Sequence, residues 1–224
     1  HCLRVNSDDV LREWAERSGA YSPDYYAYYG PNETSELVRA RLDSVVGPDA
    51  AVLELGCSSG RHLARLHEQG YDDLHGVDLN DEAFDVMADA YPGLFDAGTF
   101  YVETIEDAVD RFGDDRFDAV FSVETLQHVH PDHEWVFDEL ARITDDLLVT
   151  VENEGGPNGT ADHPPGERDA GDSGGDADAQ DVNYVEDDLP LYYRNWEQVF
   201  TERGFEQAES RTTDRDVFRA FRPA

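Results

Sequence analysis

Apolar positions along the chain fall into two rhythms. Short unbroken runs (AVLEL at 51–55, LHGVDL at 74–79, TFYV at 99–102, AVFSV at 119–123, LLVTV at 147–151) have the length and β-branched content of strands buried on both faces. Between them apolar residues recur at helical spacing: Leu63, Ala64 and Leu66, then Ala83, Phe84, Val86, Met87 and Ala90, then stretches around 105–112 and 136–143. Strand and helix in such close alternation predict a mostly parallel sheet with helices on both faces.

The pattern changes at each end. Ser7-Asp8-Asp9 reads as a helix start, with Val10, Leu11, Trp14 and Ala15 as its apolar face. A tyrosine-rich segment, YSPDYYAYYGPNE, is punctuated by Pro23 and by Gly30-Pro31, and a second helix is expected from about 34 to 46. Residues 154–181 contain seven Gly, three Pro and eight acids, and no large apolar residue. Such a segment cannot bury enough area to offset its ordering entropy, so it is expected to be a disordered insertion or flap. After it come a capped amphipathic helix over 195–205, closed by Gly204, and two strand-like runs, FEQAESR and DVFRAFR. Runs so close together must pair antiparallel.

Composition changes the picture in one respect. Against 51 Asp+Glu stand 17 basic residues, giving a formal charge of −34. Every one of the 17 is Arg, and Lys is absent. An acid excess without lysine resembles the proteins of salt-in halophilic archaea, where high salt screens the self-repulsion. The charge disfavours nucleic acid and anionic membranes as partners. Two cysteines make no disulfide framework, and no apolar run is long enough to cross a bilayer, so a cytoplasmic monomer or homodimer is expected.

The chemistry concentrates in VLELGCSSGRHL, residues 52–63, where Gly56 follows the first strand and Gly60 precedes a helix. Such a turn lets backbone approach a ligand, and the helix start offers free N–H groups to a carboxylate or phosphate. Asp78, ending the second strand, stands where a carboxylate can accept both hydroxyls of a ribose. A dinucleotide, a nucleoside triphosphate and S-adenosylmethionine all use such a turn. Without any lysine there is no P-loop. A dinucleotide site would want glycine where Ser58 stands and would suffer from Glu54 near two phosphates, whereas a ligand bearing an ammonium and a sulfonium would welcome Glu54.

These residues, with GVDLN, FDAVFSVETLQHV and the terminal helix–hairpin, resemble class I S-adenosylmethionine-dependent methyltransferases. The resemblance runs from about Glu33 to Pro223, the insertion apart, with Ser58 replacing the middle glycine of the family's first motif. It implies a Rossmann-like α/β fold: a seven-stranded, mostly parallel sheet of order 3-2-1-4-5-7-6 between helices, with an N-terminal helical lid over 1–46 and the methyltransferase domain over 47–224. It implies S-adenosylmethionine as cofactor. Glu54 would meet the amino group, Gly56, Ser58 and Gly60 the carboxylate end, Asp78 the ribose, and Leu79 the adenine. Glu103, Thr104 and Ile105 would line the adenine side, Val123 and Glu124 the methyl-bearing end, and Tyr29, with Tyr25, the lid side.

A small-molecule acceptor with an oxygen nucleophile is expected, His128 being the candidate base and Glu124 its neighbour. RNA or protein methylation, or a non-catalytic cofactor-binding module, are the alternatives. His128, His130 and His133 crowd together, but their spacing does not suit a metal site, and none is expected. Arg194, among Tyr192, Tyr193 and Trp196, is a candidate contact for an anionic acceptor or an ion-paired helix entry.

Overall fold

The computed structural model describes residues 11–12, 22–155, 182–185 and 189–224. The expected helix near residue 7 falls outside these apart from helical Leu11 and Arg12, and so does the insertion beyond Gly155.

Five strands, β1 (Val52–Leu55), β2 (Leu74–Asp78), β3 (Thr99–Val102), β4 (Phe117–Val123) and β5 (Thr144–Glu152), pair in parallel, and β8 (Phe205–Thr212) and β9 (Val217–Pro223) form the terminal hairpin. The sheet runs β3-β2-β1-β4-β5-β9-β8. Counting strands of this sheet alone, that is the expected order 3-2-1-4-5-7-6, with β9 the one strand antiparallel to its neighbours. A separate two-stranded pair, β6 (Val182–Val185) and β7 (Leu189–Tyr192), was not foreseen.

Eight α-helices are described: α1 (Pro23–Tyr29), α2 (Glu33–Val45), α3 (Arg61–Glu68), α4 (Glu82–Ala90), α5 (Pro92–Ala97), α6 (Ile105–Arg111), α7 (Trp135–Ile143) and α8 (Trp196–Thr201). One core packs Val38, Leu42, Leu63, Leu66 and Met87, from α2, α3 and α4, on the sheet. The opposite core packs Val109, Val136, Phe137, Leu140, Trp196 and Phe200, from α6, α7 and α8. Both faces of the central strands are thus dry, which is why Val52, Leu53 and Leu55 are all apolar, with Glu54 the one exception.

Helix α1 arises where only punctuation was read. Ser22 Oγ accepts from Tyr25 N–H, and Pro23 starts the first turn, where its missing N–H costs nothing. The order of the strands reverses at β1 and β4, with β2 following on the far side of β1 and β5 on the far side of β4. Ligands of open α/β sheets bind at the carboxyl ends of the strands at such a switch point.

Candidate active site

A cleft opens at the carboxyl ends of β1, β2 and β4. It is lined by Glu54, Gly56, Ser58, Asp78, Leu79, Glu103, Thr104, Ile105, Val123, Glu124 and His128, which the sequence singled out, and also by Pro23, Tyr26, Arg61, Asn80 and Thr125, which it did not.

The turn after β1 is held from both sides. Gly56 and Ser58 adopt left-handed backbone, with φ of 67° and 47°. Cys57 N–H donates to Val77 O at 3.0 Å, and Ser58 N–H donates to Asp78 Oδ2 at 2.7 Å. Asp78 Oδ1 accepts from Asn80 N–H at 2.9 Å. Each carboxylate oxygen of Asp78 therefore keeps accepting capacity toward the cleft. Burial raises the Asp78 carboxyl above its ordinary range, against the backbone N–H groups of Asn80, Ser58 and Leu79.

Glu54 is 1% exposed, and its Oε2 has no hydrogen-bond partner among the described residues. Burial pushes its carboxyl well above the usual range, opposed by the Arg61 charge and reinforced by Asp78. A buried acceptor without a donor costs about 1–3 kcal/mol, so this oxygen is poised for a ligand cation.

The two glycines serve neighbours more than ligand. A Cβ on Gly56 would lie 2.3 Å from Thr125 Oγ1, so the residue after β1 is bare because the loop after β4 presses on it. Gly60 does not line the cleft; a Cβ there would lie 2.7 Å from Met87 Cε, and its glycine lets α4 pack against the start of α3. Gly60, expected at the ligand's carboxylate end, stands at the amino end of α3.

Tyr29, expected on the lid side, lies outside the cleft lining. It is 63% exposed and borders, with Tyr25 and Tyr28, a shallow groove against Asp85 and Asp89 of α4. Helical phase turns Tyr26 to the cleft instead, where the Arg61 guanidinium lies 4.6 Å from its ring centre. Arg61 Nε donates to His62 Nε2 at 3.3 Å, and His62 Nδ1 meets Ser35 Oγ at 2.8 Å. Burial, aided by Arg61, pushes the His62 imidazole well below its ordinary value, so it is neutral. The start of α3 is thereby tied to α2.

On the adenine-expected side, Glu103 pairs with Arg111, Thr104 caps α6 by accepting from Asp107 N–H at 3.0 Å, and Ile105 opens that helix. Glu106, also lining the cleft, meets His133 Nδ1 at 2.8 Å.

On the opposite wall, β4 ends at Val123, and Glu124 follows with φ of 50°. Glu124 Oε1 accepts from Arg215 Nη2 at 3.2 Å. His128 closes a 3₁₀ turn, Leu126–His128, half-buried at the cleft wall. His130 accepts from Asp132 N–H at 3.1 Å, capping the next short turn. Arg194 lines no part of the cleft: it is buried, donating through Nη2 to Val129 O at 2.7 Å and through Nε to Glu134 at 3.3 Å.

Glu152 was missed. It ends β5 fully buried and takes four donors, the Ser122 hydroxyl of β4 and the N–H groups of Thr125, Leu126 and Gln127 in the loop that follows. The signal was an acid closing an apolar strand run, as in Glu54 of AVLEL.

The methyltransferase domain family matches residues 52–146. An O-methyltransferase of Penicillium expansum, cnsE, is 28% identical over 112 residues, covering 47% of this chain. The chain spans only 40% of that relative's length. Among solved structures, 1,6-didemethyltoxoflavin-N1-methyltransferase of Burkholderia thailandensis, seen with S-adenosylhomocysteine, superposes with a TM-score of 0.65 at 15% identity, over 97% of this chain and 87% of that one. Magnesium protoporphyrin IX methyltransferase of Synechocystis, with bound S-adenosylmethionine, gives 0.59 at 14%, over 98% and 92%. The chain has the Rossmann-like fold of S-adenosylmethionine-dependent methyltransferases, and the segment from β1 through α7 carries their domain's sequence pattern.

Proposed function

We propose that this chain is an S-adenosylmethionine-dependent methyltransferase acting on an oxygen nucleophile of a small molecule. The observation that carries the reading is the pairing of Glu54 and Asp78 across one turn. Glu54 offers a dry, unpartnered oxygen to an ammonium, and Asp78 offers partly used oxygens to ribose hydroxyls. Phosphates would meet two carboxylates, one buried and one half-buried, in the same place, which argues against a dinucleotide.

The residues fit the cofactor. Glu54 would hold its amino group, the turn at Gly56–Ser58 and the start of α3 its carboxylate end, Asp78 its ribose, and Leu79 with Glu103, Thr104 and Ile105 its adenine side. Bound there, S-adenosylmethionine supplies an electrophilic methyl group on sulfur. Val123, Glu124 and His128 wall the adjoining space. His128 takes the proton from the acceptor hydroxyl, and Glu124, held by Arg215, keeps that wall polar. Leu11, Pro23 and Tyr26 cover the cleft from the N-terminal side, supporting a lid role for 1–46 over the domain of 47–224. A lid excludes water and strengthens charge interactions beneath it.

Titration calorimetry in molar KCl tests the first half: S-adenosylhomocysteine should bind, and no detectable heat with either cofactor form overturns the reading. Tritium transfer from labelled cofactor to phenolic acceptors tests the second. Label appearing in bulk tRNA instead would move the acceptor class to RNA.

A further inference from the structure

A 3₁₀ turn of three residues has no stability of its own, since helix nucleation is unfavourable. Yet Leu126–His128 carries the candidate base and sits between Glu124 and Val129, all at one wall of the cleft. Something outside the turn must hold it.

Both ends are held by buried polar side chains. At the amino end, Glu152 Oε2 accepts from Thr125 N–H at 3.0 Å and Gln127 N–H at 3.2 Å. Its Oε1 accepts from Leu126 N–H at 3.1 Å and from the Ser122 hydroxyl at 2.5 Å. At the carboxyl end, Arg194 Nη2 donates to Val129 O. The guanidinium lies 5.1 Å from the Phe137 ring centre and 5.7 Å from those of Tyr192 and Trp196, its side chain 3% exposed. Two further bonds tie the same loop to the end of β5: Glu124 N–H to Val151 O at 2.8 Å, and Asn153 N–H to Gln127 Oε1 at 2.7 Å. An acceptor of N–H groups at the amino end and a donor to the last carbonyl at the carboxyl end match what a helical turn leaves unsatisfied.

We infer that Glu152 and Arg194 are positioning residues that clamp the Leu126–His128 turn from its two ends and so fix His128 and Glu124 at the acceptor wall. What that wall does rests on the methyltransferase reading; the clamp itself does not. The two residues lie on either side of 156–181, so the stems of that segment supply both halves of the clamp.

Glutamine cannot replace Glu152. Its NH2 would oppose either the Leu126 N–H or the N–H groups of both Thr125 and Gln127, leaving at least one buried donor unpaired. For Arg194, methionine keeps the packing among the aromatic rings and loses the bond to Val129.

The test uses the full chain in molar KCl, with Glu152→Gln and Arg194→Met, separately and together. Amide hydrogen exchange at residues 125–129 should quicken about tenfold in each single variant while β1 and β2 stay protected. The His128 imidazole resonance should shift in both. The double variant should be little faster than the worse single one, because the clamp acts as a unit. Unchanged exchange at 125–129, or equal loosening across the whole sheet, overturns the clamp. Should Glu152→Gln fail to fold, Arg194→Met alone carries the same measurement. S-adenosylhomocysteine affinity of the wild type separates the two claims: its absence sinks the methyltransferase reading, while the exchange pattern still decides the clamp.

Discussion

Two glutamates end or nearly end strands on either side of β4, and both are buried, yet they live opposite lives. Glu54 in β1 keeps an oxygen without a partner among the described residues. Glu152 in β5 has both oxygens engaged, by Ser122 of β4 and by the loop that follows it. Burial raises both carboxyls, Glu152 to about 7 against the pull of its four donors, and Glu54 well above its ordinary range. The difference separates a group built for a ligand from one built for the fold. An unsatisfied buried acceptor is a cost that folding alone gives no reason to keep.

Several measurements can break or sharpen that contrast. The largest effect expected is that of salt, and it must be controlled first. With a net charge of −34, the protein should unfold or aggregate below about 0.5 M KCl as screening fails. A flat melting temperature from low to molar KCl would refute this.

Next is Glu152→Ala, which strands three backbone donors in a dry interior and should cost about 3–5 kcal/mol in denaturant unfolding. Glu54→Gln should be within about 1 kcal/mol of wild type in the same assay, because the amide mimics a neutral carboxyl. Equal losses in the two variants would erase the distinction.

Cofactor binding should invert the ranking. Glu54→Gln and Asp78→Ala are each expected to weaken S-adenosylhomocysteine binding about 100-fold by calorimetry, since each removes a buried charge-assisted contact. At Glu54, ligand binding should also release a proton, because the ammonium favours the ionised carboxylate. Observed heats should then vary with the ionisation enthalpy of the buffer in wild type and lose that contribution in Glu54→Gln.

The smallest effect is on pH dependence. With its carboxyl raised from 4.5 to about 7, the folded state holds the Glu152 proton through that window while the unfolded chain has released it. Stability from this group is therefore greatest below about 4.5 and declines as pH rises toward 7. At fixed high salt, the slope of melting temperature between pH 5 and 7 should be shallower in Glu152→Gln than in wild type.

The contrast also marks what the sequence could say. Glu54, Ser58 and Asp78 were legible because strand, turn and strand follow one another, and the chemistry sits within one crossover. The order of the sheet was legible for the same reason. Glu152 was hidden because its partners are backbone N–H groups of residues 125–127, and residue letters do not announce which amides a carboxylate will find. Tyr26 was hidden among five tyrosines, because only the phase of α1 decides which of them turns inward. Arg194 sits in an aromatic setting that reads equally well as a pocket or a clamp, and distance alone settles it. The paired strands β6 and β7 were missed beside a segment whose composition drowned their short apolar runs.

The contact between Gly56 and Thr125 has a consequence for descent. With under 3 Å between Thr125 and any Cβ at position 56, and left-handed backbone there besides, position 56 cannot gain a side chain while Thr125 stays in place. A lineage that acquired alanine at 56 would need a smaller neighbour at 125 in the same step or soon after. The two walls of the cleft are thus bound to a common history, and relatives that differ in acceptor should still change this pair together.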